Sequence, residues 1–204
     1  MNGYHVHFPV RRGDLMTLAN LLTGLRVVLM APLLWCLVTG EAWLALVLFL
    51  IAGLTDVLDG YVARRLNQAS RFGAFFDLLA DRIMTLVVSL GLIISRPHDL
   101  VLLASCIVLI GRNSVIAGLS EALPGQPGIA LSGLEKVKIA FNFIGFAFVM
   151  APPLFDIPLP RGEHFFVNYS SREMGVDCLA VSAVLCLATV ADYAARAYRA
   201  RVSD

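Results

Sequence analysis

The sequence predicts an all-α integral membrane protein: six transmembrane helices around a polar cavity that faces the cytoplasm. Three observations carry that prediction. The 204 residues are 58% hydrophobic and only 15% charged, against about a half and a quarter in soluble domains, and the mean hydropathy is +0.78. Long uncharged runs recur along the whole chain. The basic residues fall on one side of those runs. Sixteen Lys and Arg against fifteen Asp and Glu leave a net charge of +1, so no basic nucleic-acid footprint is expected.

A helix crosses a bilayer in about 20 apolar residues, and six stretches qualify: roughly 20–39, 43–63, 74–95, 100–119, 136–155 and 174–193. Most prolines lie near the ends of these stretches, as helix breakers should. Pro32 is interior, where membrane helices tolerate it. Met1 to Arg12 holds no apolar signal core, so the first span is read as retained. One domain is expected over 1–204, with cytoplasmic segments at about 1–19 and 194–204. The loop 120–135 is Gly/Pro-rich and reads as irregular, and the loop from Asp156 to Arg172 is the longest on the outer side.

One side of the membrane collects Arg11, Arg12, Arg64, Arg65, Arg71, Lys136, Lys138, Arg196, Arg199 and Arg201, and the other only Arg96, Arg161 and Arg172. The positive-inside rule then puts both termini in the cytoplasm. Trp35, Trp43, Phe165, Phe166 and Tyr169 fall near the outer interface, where aromatic belts form. His5, His7, His98 and His164 read as solvated. Cys36, Cys106, Cys178 and Cys186 sit in apolar runs without metal spacing and read as small buried hydrophobes.

The anomaly is acidic. In AGLTDVLDGYVARRLNQASRFGAFFDLLADR, Asp56 and Asp59 are three apart and Asp77 and Asp81 four apart, so each pair shares a helix face. Antiparallel neighbours joined by a short inner loop would bring the pairs together. Each ionised Asp near a helix centre costs about 2.5–3.5 kcal/mol. The cluster therefore needs cations. Structural ion pairs with Arg64, Arg82 or Arg112 are one solution. An oxygen-only site for a divalent ion, Mg²⁺ or Mn²⁺, is the better one. Gly60 and Gly73 would let a bulky ligand or a neighbouring helix approach closely, and Ala63 extends that small-residue face. Arg64 lies one turn beyond Gly60 and can meet a phosphate; Arg26, inside the first span, can bind a phosphate or pair with an acid.

Asp56, Asp59, Gly60, Ala63, Arg64, Gly73, Asp77 and Asp81 reproduce DxxDGxxARx₈GxxxDxxxD with every spacing intact. In this the chain resembles the CDP-alcohol phosphatidyltransferases, and Asn20 to Arg26 (NLLTGLR) resembles their NxLTxxR opening. The resemblance implies transfer of a phosphatidyl group from CDP-diacylglycerol to a second hydroxyl compound, with release of CMP. It implies one or two divalent ions on Asp56, Asp59 and Asp77, with Asp81 as catalytic base and in some members a ligand of the second ion. Asp56, Gly60, Ala63, Arg64 and Gly73 would shape the CDP pocket, and a homodimer is implied.

Among acceptors, the sequence looks most like enzymes that use glycerol 3-phosphate. IGRNSVIAGLSEAL resembles their REIxIxxLRE segment and keeps Arg112, and GLEKVKIAFN resembles GKxKT with Lys136 and Lys138 in place. Arg112 and Lys138 are the candidate acceptor-binding residues. Leu78, Arg82, Asn113, Ser120 and Ile139 depart from that group's pattern, and AGLTDxLDG also occurs in cardiolipin synthases, so phosphatidylglycerol is the alternative acceptor. Buried carboxylates also mark cation and proton transporters, the competing class. The acids here cluster on two adjacent spans without repeat symmetry, which disfavours it.

Overall fold

The computed structural model describes residues 18–65, 71–122, 133–160 and 166–202. Six helices, α1 (Leu18–Thr39), α2 (Ala42–Arg65), α3 (Arg71–Ser95), α4 (Leu100–Ala122), α5 (Gly133–Met150) and α6 (Ser171–Val202), are joined between α5 and α6 by strands β1 (Asp156–Pro160) and β2 (Phe166–Ser170). Among the described residues, four helices are long and apolar enough to cross a membrane: α1 over Asn20–Thr39, α2 over Ala42–Val62, α3 over Phe72–Ser95 and α6 over Ser171–Ala191. The apolar stretches of α4 and α5, Leu100–Val115 and Val137–Met150, are shorter. Both adjoin residues whose side chains lie outside the described set.

The boundaries follow local chemistry. α1 runs through Pro32 and stops at Gly40, whose φ of 83° suits a residue without Cβ. There the Glu41 N–H donates back to the Cys36 carbonyl at 2.9 Å. Asp99 starts α4 by accepting from the Leu102 N–H at 3.0 Å. At the start of α6, the Ser170 N–H donates to the Glu173 carboxylate and the Glu173 N–H to the Ser170 hydroxyl, a reciprocal capping box.

Three sequence expectations are corrected, and one element was not anticipated. The fifth helix ends at Met150 rather than 155, because Pro152 and Pro153 cannot continue it. α6 continues to Val202 where a tail was expected. The outer loop holds an antiparallel hairpin that pairs Asp156 with Ser170 and Pro160 with Phe166. Pro158 and Pro160 are two apart and so lack their N–H on one edge, which a two-stranded ladder accommodates. Finally, α2 and α3 do not pack chiefly on one another: each packs on α1, which lies between them. The loop 120–135 lies largely outside the described residues.

α4 and α5 both pack on α6, and contacts of α3 with α4 and of α2 with α5 join the two groups. The core runs through both, from Leu33 and Leu37 of α1 and Phe49 of α2 to Val88 of α3, Leu102 of α4, Phe146 of α5 and Leu179 of α6. Phe49 stacks on Phe143 with ring centroids 4.8 Å apart. Cys36, Cys106 and Cys186 are buried and Cys178 is half-buried, as expected of hydrophobes. Outside, large apolar side chains such as Leu21, Val28, Leu54 and Val184 are exposed, and a third or less of each spanning stretch is buried. Lipid is the medium that makes such a surface favourable. Trp35 and Trp43 are also exposed, and His98 stands on an exposed turn. In the hairpin, the Tyr169 hydroxyl donates to Asp177, and that bond pushes the phenol up to about 12.

α5 and α6 approach closely because glycines line their crossing. A Cβ on Gly175 would lie 2.7 Å from the backbone nitrogen of Val149, and one on Gly145 would lie 2.8 Å from Leu179 Cγ. Gly175→Ala is therefore expected to lower stability by about 1–3 kcal/mol, the usual cost of overpacking, read as a fall in thermal midpoint in detergent. Gly111→Ala, where a Cβ meets nothing within 4 Å, is expected to leave the midpoint unchanged or slightly raised.

Candidate active site

One face of α1 organises the site. Asn20, Thr23 and Arg26 recur every third residue, and all three are buried. Arg26, fully buried, reaches the four aspartates of α2 and α3. Its Nη1 lies 2.5 Å from Asp56 Oδ1, 3.0 Å from Asp81 Oδ1 and 3.3 Å from Asp77 Oδ1, and its Nη2 lies 2.5 Å from Asp59 Oδ2. Thr23 Oγ1 donates to the same Asp59 oxygen at 3.0 Å. The alternative of structural ion pairs with Arg64, Arg82 or Arg112 did not include Arg26, which supplies a cation at the centre of the cluster. Of the two readings open for that residue, the acid pairing is the one observed.

The aspartates differ in access. The Asp59 side chain is 5% exposed, whereas those of Asp56, Asp77 and Asp81 are 39%, 45% and 50% exposed. One oxygen from each of Asp56, Asp59 and Asp77 lies within 4.8 Å of the others. Oxygen ligands about 2.1 Å from Mg²⁺ span at most about twice that distance, so the three carboxylates can close on one divalent ion with small rotations. The donor set is all oxygen and anionic, which suits a hard cation. Asp81 stands outside that trio, one turn along α3 from Asp77. It is tied to the trio through Arg26.

A cavity of about 630 Å³ opens beside the aspartates. Its lining includes Asp56, Asp81, Arg82, Arg112, Lys138 and Asn142, so two sequence-predicted anion binders share one space with two of the acids. Lys138 is buried rather than reaching to a membrane surface, and the Ser182 hydroxyl donates to its carbonyl. Arg112 Nη1 donates to Asn113 Oδ1 at 3.3 Å. Thr85 Oγ1 donates to the backbone carbonyl of Asp81, while the Asp81 carboxylate pairs with Arg26 and the residue lines the cavity. Gly60 and Gly73 lie on α2 and α3, respectively. The side chains of Ala63, Arg64 and Lys136 lie outside the described residues, as do His5, His7, Arg11, Arg12, Arg161, His164 and Phe165.

Sequence reasoning gave no role to two polar residues at this site. Thr23 was legible as the residue three before Arg26 on the same helix face. Asn142 follows Lys138 by four and so shares its face of α5.

A chain with aspartates of α2 and α3 beside a cavity that also holds cations matches one family over most of its length. The family model of the CDP-alcohol phosphatidyltransferases matches residues 16–190, and the chain belongs to that family of transferases. Among curated relatives, it is 30% identical over 180 residues to the CDP-diacylglycerol--glycerol-3-phosphate 3-phosphatidyltransferase of Salmonella choleraesuis, covering 85% of this chain and 91% of that one. It is 30% identical over 186 residues to the enzyme of the same name from Escherichia coli K12, covering 87% and 94%. The fold is similar to the apo crystal structure of Mycobacterium tuberculosis phosphatidylinositol phosphate synthase, with a TM-score of 0.60, 22% identity and coverage of 91% and 94%.

The Thr23 hydroxyl supplies Asp59 with a buried, charge-assisted hydrogen bond. Thr23→Val is expected to lower stability by about 1.5–3 kcal/mol, the range for bonds to charged groups. Thr23→Ser should restore most of the loss in the same thermal unfolding measurement.

Proposed function

We propose that this chain transfers the phosphatidyl group of CDP-diacylglycerol to the free hydroxyl of glycerol 3-phosphate, forming phosphatidylglycerophosphate and releasing CMP. The observation that carries the proposal is the convergence of Asp56, Asp59 and Asp77 beside a cavity that also holds Asp81, Arg112 and Lys138. Membership of the family and relatives named for that reaction support it, and they favour a transferase over an ion transporter.

Asp56, Asp59 and Asp77 would hold one or two divalent ions, with Asp81 sharing a second. When bound there, Mg²⁺ or Mn²⁺ supplies charge neutralisation to the donor pyrophosphate and to the departing CMP. Gly60 and Gly73, free of side chains, leave room for the cytidine diphosphate beside Asp56, with Ala63 and Arg64 completing the pocket. Arg112 and Lys138 bind the acceptor's phosphate and orient its hydroxyl toward the donor. Asp81 takes the proton from that hydroxyl as its oxygen bonds to the phosphatidyl phosphorus and the bond from that phosphorus to CMP breaks. The half-exposed carboxylate of Asp81, facing the same cavity as the two cations, supports this role.

The whole chain would act as one catalytic domain with six spans in the bacterial inner membrane. Both termini and the cavity would face the cytoplasm, on the side where basic residues collect. The working unit would be a homodimer. The diacylglycerol tails would reach the donor site sideways from the leaflet.

Purified protein given CDP-diacylglycerol and Mg²⁺ or Mn²⁺ is expected to release CMP when glycerol 3-phosphate is added. Stimulation by phosphatidylglycerol alone would move the reaction to cardiolipin synthesis, and no release with either would refute the proposal. Asp81→Asn is expected to lower turnover at least about 100-fold, within the range that general-base catalysis contributes, while metal-dependent binding of CDP-diacylglycerol survives. Turnover near that of the parent chain would remove Asp81 from the mechanism.

A further inference from the structure

We infer that Arg26 is the resident counter-cation of the aspartate cluster in the metal-free protein, and that a divalent ion displaces its guanidinium from the same carboxylate oxygens. The inference rests on the reading of Asp56, Asp59 and Asp77 as the metal ligands. Its own support is the position of Arg26 among the four carboxylates, a residue outside the eight-position aspartate motif.

A guanidinium satisfies carboxylates best as a planar fork, with two parallel N–H bonds to one partner. Arg26 does not do this. Its Nη1 carries two hydrogens and faces three carboxylates, while Nη2 holds a fourth. Its Nε is buried with no hydrogen-bond partner among the described residues. The side chain is fully buried at the point where negative charge converges, and it serves four acids at once. One cation against four carboxylates leaves a formal charge of −3 when all are ionised, so Arg26 keeps the cluster foldable without neutralising it.

The carboxylates that Arg26 holds on Asp56, Asp59 and Asp77 are the trio that can close on a metal. An ion bound at about 2.1 Å needs the lone pairs that now accept from the guanidinium, and its charge repels that of Arg26 at short range. The two cations therefore hold the trio by turns. Nη1 also holds Asp81 at 3.0 Å, so withdrawal of Arg26 also releases the carboxylate proposed as base. Metal binding and exposure of the base become one event.

The test is Mn²⁺ binding to the full chain in detergent, followed by electron paramagnetic resonance, for the parent chain, Arg26→Gln and Arg26→Lys. Arg26→Gln is expected to bind Mn²⁺ at least about tenfold more tightly, because the competing charge is gone. Arg26→Lys, which keeps the charge, should stay within about threefold of the parent. In thermal unfolding, Arg26→Gln should lose stability without metal and regain most of it in saturating Mn²⁺. Unchanged or weaker binding by Arg26→Gln would overturn the inference, as would its failure to fold even in saturating Mn²⁺. Absence of Mn²⁺ binding by the parent chain would instead refute the metal reading beneath it.

Discussion

Four carboxylates among apolar helices are tolerable only with a cation between them, and the architecture is arranged around that constraint. Each ionised acid near the centre of a spanning helix costs a few kcal/mol, and acids within about 4–6 Å of one another repel. The structure answers with α1, which lies between α2 and α3 and places Arg26 against all four aspartates. Thr23 adds a neutral donor to Asp59, the most buried of them. Asn20, Thr23 and Arg26 form the polar end of the same face whose apolar continuation, through Met30, Leu33 and Leu37, enters the core. The helix that neutralises the site is thus also the one that assembles the bundle.

The rest of the chain builds the other wall. α5 and α6 close tightly over Gly145 and Gly175, which fixes α5 and its cavity-lining residues Lys138 and Asn142. α4 packs on α6 and brings Arg112 to the same cavity. Acids thus reach the cavity from α2 and α3, and cations from α3, α4 and α5. An anionic donor with its metal and an anionic acceptor would need both kinds of charge in one space.

Much of this was legible in the sequence. Spacings of three and four placed each aspartate pair on one face, and all four side chains do converge. Arg112 and Lys138 stood out as cations at helix ends, and both line the cavity. What was not legible was tertiary. One sequence cannot say that α1 intervenes between α2 and α3, so Arg26 carried two readings and the obvious cations looked like Arg64, Arg82 and Arg112. The hairpin was hidden by Pro158 and Pro160, which argue against a strand unless both fall on its unpaired edge. The end of α5 was overextended because apolar Ala151, Leu154 and Phe155 continue the hydropathy beyond Met150, while the backbone obeys Pro152 and Pro153.

The central claim is that the aspartates of α2 and α3 form a divalent-ion site in a phosphatidyltransferase. An experimental structure of the protein with Mn²⁺, read by anomalous scattering at the manganese edge, tests it most directly. The account predicts a peak at bonding distance from Asp56, Asp59 and Asp77, with the Arg26 guanidinium withdrawn from those oxygens. An empty trio in saturating Mn²⁺, with Arg26 still seated among the four carboxylates, would contradict it.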